Sequence, residues 1–267
     1  MSVVLCNTDP RGVATVILNR PEVNNAYNAE VVAALIATFT ELANDPNLKA
    51  IVIRGNGRHF QAGADLKWLA QIAEMDGAAN LATSQRTAGA MRALNEISVP
   101  TVALVHGACI GGGTGIVASV DIVIASRDAS FAISEARWGV FASVIFPQLI
   151  AAIGTRQLRR YAVTCERFDA ERAKYLGLVH EVCEPGELDQ VARPIIEGIL
   201  LAGPNAVQQT KRSIIECGDE IMSEELFDRI VQQHADIRQS DEAKEGFKSF
   251  SEKRNPSWYR EPTDNIA

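Results

Sequence analysis

The stretch from His106 to Gly139, HGACIGGGTGIVASVDIVIASRDASFAISEARWG, constrains this chain most. The five residues before it, Thr101–Val105, read as a buried strand, and that strand runs into a loop carrying Gly107, Gly111, Gly112, Gly113 and Gly115. Glycines at that density let a backbone come within hydrogen-bonding distance of a bound group, because no Cβ stands in the way. A short apolar segment follows at Ile116–Val120, then a β-like run at Asp121–Ala125, then Glu135 just ahead of Trp138-Gly139. The arrangement points to a backbone N–H of Gly112 offered to a carbonyl oxygen, with Glu135 handling a proton beside it.

Three other uses of such a loop compete. A phosphate-cradling loop requires Lys and then Ser or Thr after its glycines, and here Gly113 is followed directly by Thr114. The run Gly113–Ala118 matches a dinucleotide-binding pattern, but too few residues separate Gly115 from Asp121 for a parallel crossover. No strand ending in an acidic residue stands at the expected distance either. An ordinary glycine-rich turn without chemistry is the third alternative. It loses ground once a second glycine site is counted.

The 267 residues, 47% of them apolar, suffice for one large core or two small ones. A net charge of −7 argues against a nucleic-acid surface. No apolar run reaches membrane-spanning length, and the start, MSVVLCNTDPRG, has no basic region followed by an apolar one, so a cytoplasmic location is expected. The five cysteines (Cys6, Cys109, Cys165, Cys183 and Cys217) show no CxxC spacing, which fits free thiols in a reducing compartment rather than a metal site.

Earlier in the chain, Val13–Leu18 reads as a strand. Asn28 is placed to cap a helix from Ala29 to about Leu42, Asp45-Pro46 breaks it, and Lys49–Arg54 is a second strand. This rhythm suits a layered α/β fold. The second glycine site is Phe60–Trp68, FQAGADLKW. Asp65 can cap the helix that follows, and an N–H at Ala64 would sit at that helix's start. A further helix is expected over Leu81–Ile97. From Leu188 to Phe250 the chain reads as several helices broken at Gly203-Pro204, Gly218-Asp219 and Ser240-Asp241, with Ser223 and Ser240 as caps. Two backbone donors, each just after a strand, are what an oxyanion hole needs.

The segments AGADL (Ala62–Leu66), HGACIGGG (His106–Gly113), DIVIA (Asp121–Ala125) and FAISEARWG (Phe131–Gly139) resemble the signature segments of the crotonase, or enoyl-CoA hydratase/isomerase, superfamily. NRPEVNNAYN, GLVHEV and EGFKSFSEKR extend the resemblance over nearly the whole chain. It implies an α/β spiral of ββα repeats over residues 1–187, and a helical C-terminal segment over 188–267 that assembles a homotrimer or homohexamer. It further implies an acyl-CoA thioester substrate and no separate cofactor; the acidic charge and the lack of a long apolar run are the grounds for expecting no nucleic-acid or membrane partner.

Carried over by position, Ala64 and Gly112 supply the oxyanion-hole N–H groups. Glu22, Val23, Asn24, Ala26, Ala62, Asp65, Leu66 and Lys67 line the CoA site. Lys67, Lys253 and Arg58 are candidates for the nucleotide end. Gly111, Gly115, Trp138 and Ser143 fall around the acyl group, Ser143 as a candidate holder of water.

Hydratases of the superfamily carry two glutamates, at the positions occupied here by Gly115 and Glu135. Only the second is present. Apolar neighbours should raise the pKa of Glu135, which suits a group that takes and returns a proton. A single glutamate allows hydration of a 2-enoyl-CoA, isomerisation of a double bond, or hydrolytic or retro-aldol cleavage; a non-catalytic acyl-CoA-binding scaffold is the alternative outside enzymology. RHFQAGADLKW, GGGTG and SEARWGV look most like hydratases of branched glutaconyl-CoA thioesters from leucine and acyclic-terpene breakdown. A glutaconyl group would want a cation, for which Arg86, Arg92 and Arg137 are candidates. His106 and Cys109 read as strand-end packing rather than a catalytic pair.

Overall fold

The structure, a computed structural model, describes residues 2–219 and 221–261. Its strands are β1 (Val4–Thr8), β2 (Val13–Leu18), β3 (Ala50–Gly55), β4 (Thr101–Val105), β5 (Ala108–Ile110), β6 (Ile122–Ser126), β7 (Ser130–Ala132), β8 (Phe168–Asp169) and β9 (Glu181–Cys183). Its helices are α1 (Ala29–Ala43), α2 (Leu66–Ala73), α3 (Gly77–Glu96), α4 (Gly112–Ala118), α5 (Phe146–Thr164), α6 (Ala170–Leu176), α7 (Leu188–Leu201), α8 (Pro204–Asp219), α9 (Glu224–Ile237) and α10 (Asp241–Ser251). The larger sheet has the order β1-β2-β3-β4-β6-β9 and the smaller β5-β7-β8. Only β1 runs antiparallel in the larger sheet.

Strand β4 is buried at every residue because helices cover both faces of the larger sheet. The two-residue period sorts the side chains. Ile51, Ile53, Ala103, Val105, Val123 and Ala125 join the larger core with Val31, Leu35 and Phe39 of α1 and Leu94 of α3. Val52, Val102, Leu104 and Ile124 face the other way, onto Leu188, Ala192 and Leu200 of α7. Helix α7, which opens the expected 188–267 segment, therefore completes the sheet's second face. Positions 262–267 of that segment lie outside the described residues.

One path recurs along the chain: a strand in the larger sheet, a short strand in the smaller, then a helix. β4–β5–α4 and β6–β7–α5 are two such turns. β3 starts a third, in which Gln61 bridges to Cys109 before α2 and α3. This is the mixed α/β architecture expected of ββα repeats.

Local chemistry sets the boundaries. Asn28 caps α1, its Oδ1 accepting from Val31 N at 3.0 Å. Ser223 and Ser240 cap α9 and α10 as expected. Helix α3 starts at Gly77, earlier than the expected Leu81, because Asp76 caps it through Ala79 N at 2.8 Å. Its first turns are exposed and carry no apolar stripe. Strand β1 was not expected: only Val4 of its five residues is buried, so no alternation marks it. The expected glycine loop is instead strand β5 over Ala108–Ile110, a turn at Gly111, and α4 from Gly112. Among the described residues no helix is long and apolar enough to cross a membrane, and no group of three His, Cys, Asp or Glu side chains is placed to hold a metal.

Candidate active site

The loop leaving β2 is anchored by Asn25, which is buried and takes φ +56°. Its Nδ2 donates to the carbonyls of Asn56 and His59, each at 2.8 Å, and its Oδ1 accepts from Arg20 N. Arg20 reaches on to the Ala26 carbonyl and, at 3.1 Å, to Asp65 Oδ2. Asp65 also caps α2 by accepting from Lys67 N at 3.0 Å. Although desolvation raises its pKa, these hydrogen bonds outweigh that and hold the carboxyl below the usual range.

This anchoring lays Tyr27 beside Ala64 in a parallel bridge. Tyr27 N donates to Gly63 O at 2.9 Å, and Asp65 N donates to Tyr27 O at 2.8 Å. Both bonds use the neighbours of Ala64. Among the described residues the N–H of Ala64 itself has no acceptor.

The second donor arises at the end of β5. Gly111 N donates to Ala132 O at 2.8 Å, tying β5 to β7. Gly111 then turns at φ +55°, ψ −119°, a conformation that favours glycine. Gly112 is the first residue of α4, where backbone N–H groups lack helical partners. Its N–H, too, has no acceptor among the described residues.

Glu135 opens a short 3-10 turn after β7. A Cβ on Gly111 would lie 2.6 Å from Glu135 Oε1, so the glycine makes room for the carboxylate. Oε2 is buried and has no hydrogen-bond partner among the described residues. Burial pushes the pKa of Glu135 up, and the backbone N–H groups of Glu135 and Ser134 oppose that only in part.

Ala64, Gly112, Glu135 and Tyr27 all line one cleft of about 890 Å³. Its inner wall is apolar, with Leu35, Trp68, Ile72, Met91, Ile116 and Ile145. Trp138, 63% exposed, and Phe141, 74% exposed, stand at the mouth. Arg137 and Arg167 line the same cleft, whereas Arg92 pairs with Glu96 on the surface. His59 also lines it, with Nδ1 accepting from Ala108 N at 3.0 Å. Desolvation, then the nearby Arg58 and His106, hold its pKa low.

Of the residues expected from sequence, Asn24, Ala62, Leu66, Gly111, Trp138 and Ser143 line this cleft with the three central groups. Glu22, Val23, Ala26, Asp65, Lys67, Gly115 and Lys253 do not. Asp65 and Ala26 belong instead to the Arg20 anchor, and Lys253 lies just past the end of α10. Gly115 is buried, and a Cβ there would run into the Ile145 side chain. His106 bonds the Gly57 carbonyl at 2.9 Å, and Cys109 is fully buried in the core. Sequence reasoning missed Tyr27, Arg20 and Asn25. The one signal was their place inside NRPEVNNAYN, where an Asn pair tolerates positive φ.

The model of the enoyl-CoA hydratase/isomerase family matches residues 8–261. This chain belongs to that family. An enoyl-CoA hydratase of Mycobacterium tuberculosis is 32% identical over 250 residues, covering 91% of each chain. A mitochondrial Δ(3,5)-Δ(2,4)-dienoyl-CoA isomerase of Dictyostelium discoideum is 31% identical, covering 93% of this chain and 88% of the relative. The crystal structure of an enoyl-CoA hydratase from Shewanella pealeana superposes with a TM-score of 0.92 at 34% identity, covering 96% of each chain. In this member of the enoyl-CoA hydratase/isomerase family Glu135 is the one carboxylate among the described residues that line the cleft, and Ile145 fills the space beside Gly115.

Proposed function

We propose that this enzyme is an enoyl-CoA hydratase, adding water across the 2,3 double bond of an acyl-CoA thioester with Glu135 as its single acid–base group. The observation that carries the reading is the unpartnered, buried Oε2 of Glu135 in the cleft that also holds the unpaired N–H groups of Ala64 and Gly112. Those two donors receive the thioester oxygen as it gains charge, and one such donor contributes about 3 kcal/mol in a transition state. Glu135 takes a proton from water as the water oxygen bonds to C3. The double-bond electrons pass to the thioester oxygen, and Glu135 then returns the proton to C2. Water is consumed and the carboxylate is restored.

A branched glutaconyl-CoA thioester is the proposed substrate, because Arg137 and Arg167 give the cleft two cations for a distal carboxylate. We also assign the exposed apolar residues Ile214, Phe227, Val231, Phe247 and Phe250 of the last three helices to assembly of a homotrimer or homohexamer. Ile145, filling the space beside Gly115, favours a second reading, a Δ3,Δ2-enoyl-CoA isomerase, which needs one base and no bound water. The deciding experiment follows the conjugated-thioester absorbance of crotonyl-CoA and 3-methylglutaconyl-CoA. Absorbance lost with the wild type and kept with Glu135→Gln supports hydration. No loss with either, but conversion of a 3-enoyl-CoA to its conjugated isomer, supports the isomerase.

A further inference from the structure

Nothing in the pairing of Ala64, Gly112 and Glu135 accounts for how the attacking water is held. Ser143 stands at the mouth of the cleft and is exposed, so its hydroxyl does not face a dry centre. Deeper in, Gln61 Oε1 is engaged by Gly63 N at 3.2 Å, and the Thr114 hydroxyl is engaged by Gly111 O at 2.6 Å. Tyr27 lines the same cleft as Glu135 and Gly112. Its ring makes two contacts. Trp68 meets it edge-on, with centroids 5.5 Å apart and planes at 70°. The Gly112 backbone also packs on it: a Cβ there would come 2.5 Å from Tyr27 Cε1. The ring therefore lies against the residue that carries one of the free N–H groups, and among the described residues its hydroxyl has no hydrogen-bond partner.

We propose that Tyr27 is a further catalytic residue, its hydroxyl oxygen accepting one hydrogen of the attacking water while Glu135 takes the other. This rests on the hydratase reading of the site. Two contacts fix the water's lone pair toward C3, the task that the position of Gly115 cannot perform while Ile145 fills the space beside it. Desolvation, and then the nearby charge of Glu135, push the phenol's pKa up to about 12. The phenol stays protonated at working pH and does not compete with Glu135 for the proton. Proton and electron flow are those of the hydration step above, since Tyr27 is neither consumed nor ionised.

Tyr27→Phe tests this, because it removes the oxygen and keeps the ring between Trp68 and Gly112. Two activities are measured with wild type, Tyr27→Phe and Glu135→Gln. One is hydration of crotonyl-CoA and 3-methylglutaconyl-CoA. The other is exchange of the α-hydrogens of butyryl-CoA in D2O, which needs the base and the two N–H donors but no positioned water. The expected result is a fall in hydration kcat of about tenfold or more in Tyr27→Phe, with KM and α-exchange within about twofold of wild type. Glu135→Gln should lose both activities. Hydration at the wild-type rate in Tyr27→Phe overturns the proposal alone. Loss of exchange together with hydration in Tyr27→Phe also overturns it, since the tyrosine would then serve the donors or the fold. A wild type that exchanges but does not hydrate overturns the hydratase reading, and this assignment with it.

Discussion

Among the described residues the Glu135 carboxylate forms no ion pair, and burial sets a sign for two measurements. As the proposed base of hydration it must be ionised, and burial raises its pKa above the ordinary 4.5. The acid limb of kcat/KM should therefore fall at a pH above that of an ordinary glutamate. Folding stability follows the same shift. Between the ordinary and the raised value the folded chain holds a proton that the unfolded chain has released, so stability falls as pH rises through that window. Glu135→Gln should remove that fall and melt a few degrees above wild type at neutral pH, with the gap closing below pH 4.5, as read by thermal denaturation. At this scale the sequence was legible where the residue type is itself the signal, as for Gly112, Ala64 and Glu135. Tyr27 was not, because its meaning comes from a ring packed on Gly112, far along the chain from it.

Strands β2, β3 and β4 could be read directly, since buried parallel strands are near-continuous apolar runs. Strands β5, β7 and β8 have two or three residues each and exist through pairing rather than pattern. The start of α4 at Gly112 was hidden for a related reason: glycine has poor helix propensity, and tertiary contacts override it. One of those contacts is testable. Gly115→Ala places a methyl group against Ile145 and should cost about 1–3 kcal/mol in urea unfolding. Adding Ile145→Ala should make the double variant less destabilised than the sum of the two single changes. Additive losses would mean that the two residues do not share that space.

The last four helices reach the rest of the molecule through few polar ties, and one is nearly enclosed. Lys211 of α8, its side chain 9% exposed, bonds Asp121 Oδ2 at 2.8 Å and the Val99 carbonyl at 3.0 Å. Desolvation lowers the lysine's pKa, and Asp121 offsets that only in part. Lys211→Ala should cost about 1–2 kcal/mol, because Asp121, partly exposed, loses its cation but keeps both bonds from Thr101. At the same scale, sedimentation should find a trimer or hexamer. Phe250→Lys, at a phenylalanine 86% exposed in the single chain, should shift it toward smaller species. The helix breaks of this segment were legible from Gly-Pro and Ser caps. Whether a face meets another copy was not, since amphipathic patterns look alike whether the apolar side meets the same chain or a second one.

The two free N–H groups, held by the Tyr27–Ala64 bridge and by the start of α4, belong to the main chain. A survey that trims side chains one at a time would pass over them, for Ala64 is already alanine and Gly112 has nothing to trim. Of the standard amino acids only proline deletes an N–H outright. Drift at position 64 can thus alter bulk and fit while leaving its main-chain N–H in place. The other position has no such latitude: any side chain at 112 would run into the Tyr27 ring and shift the main chain that carries the N–H.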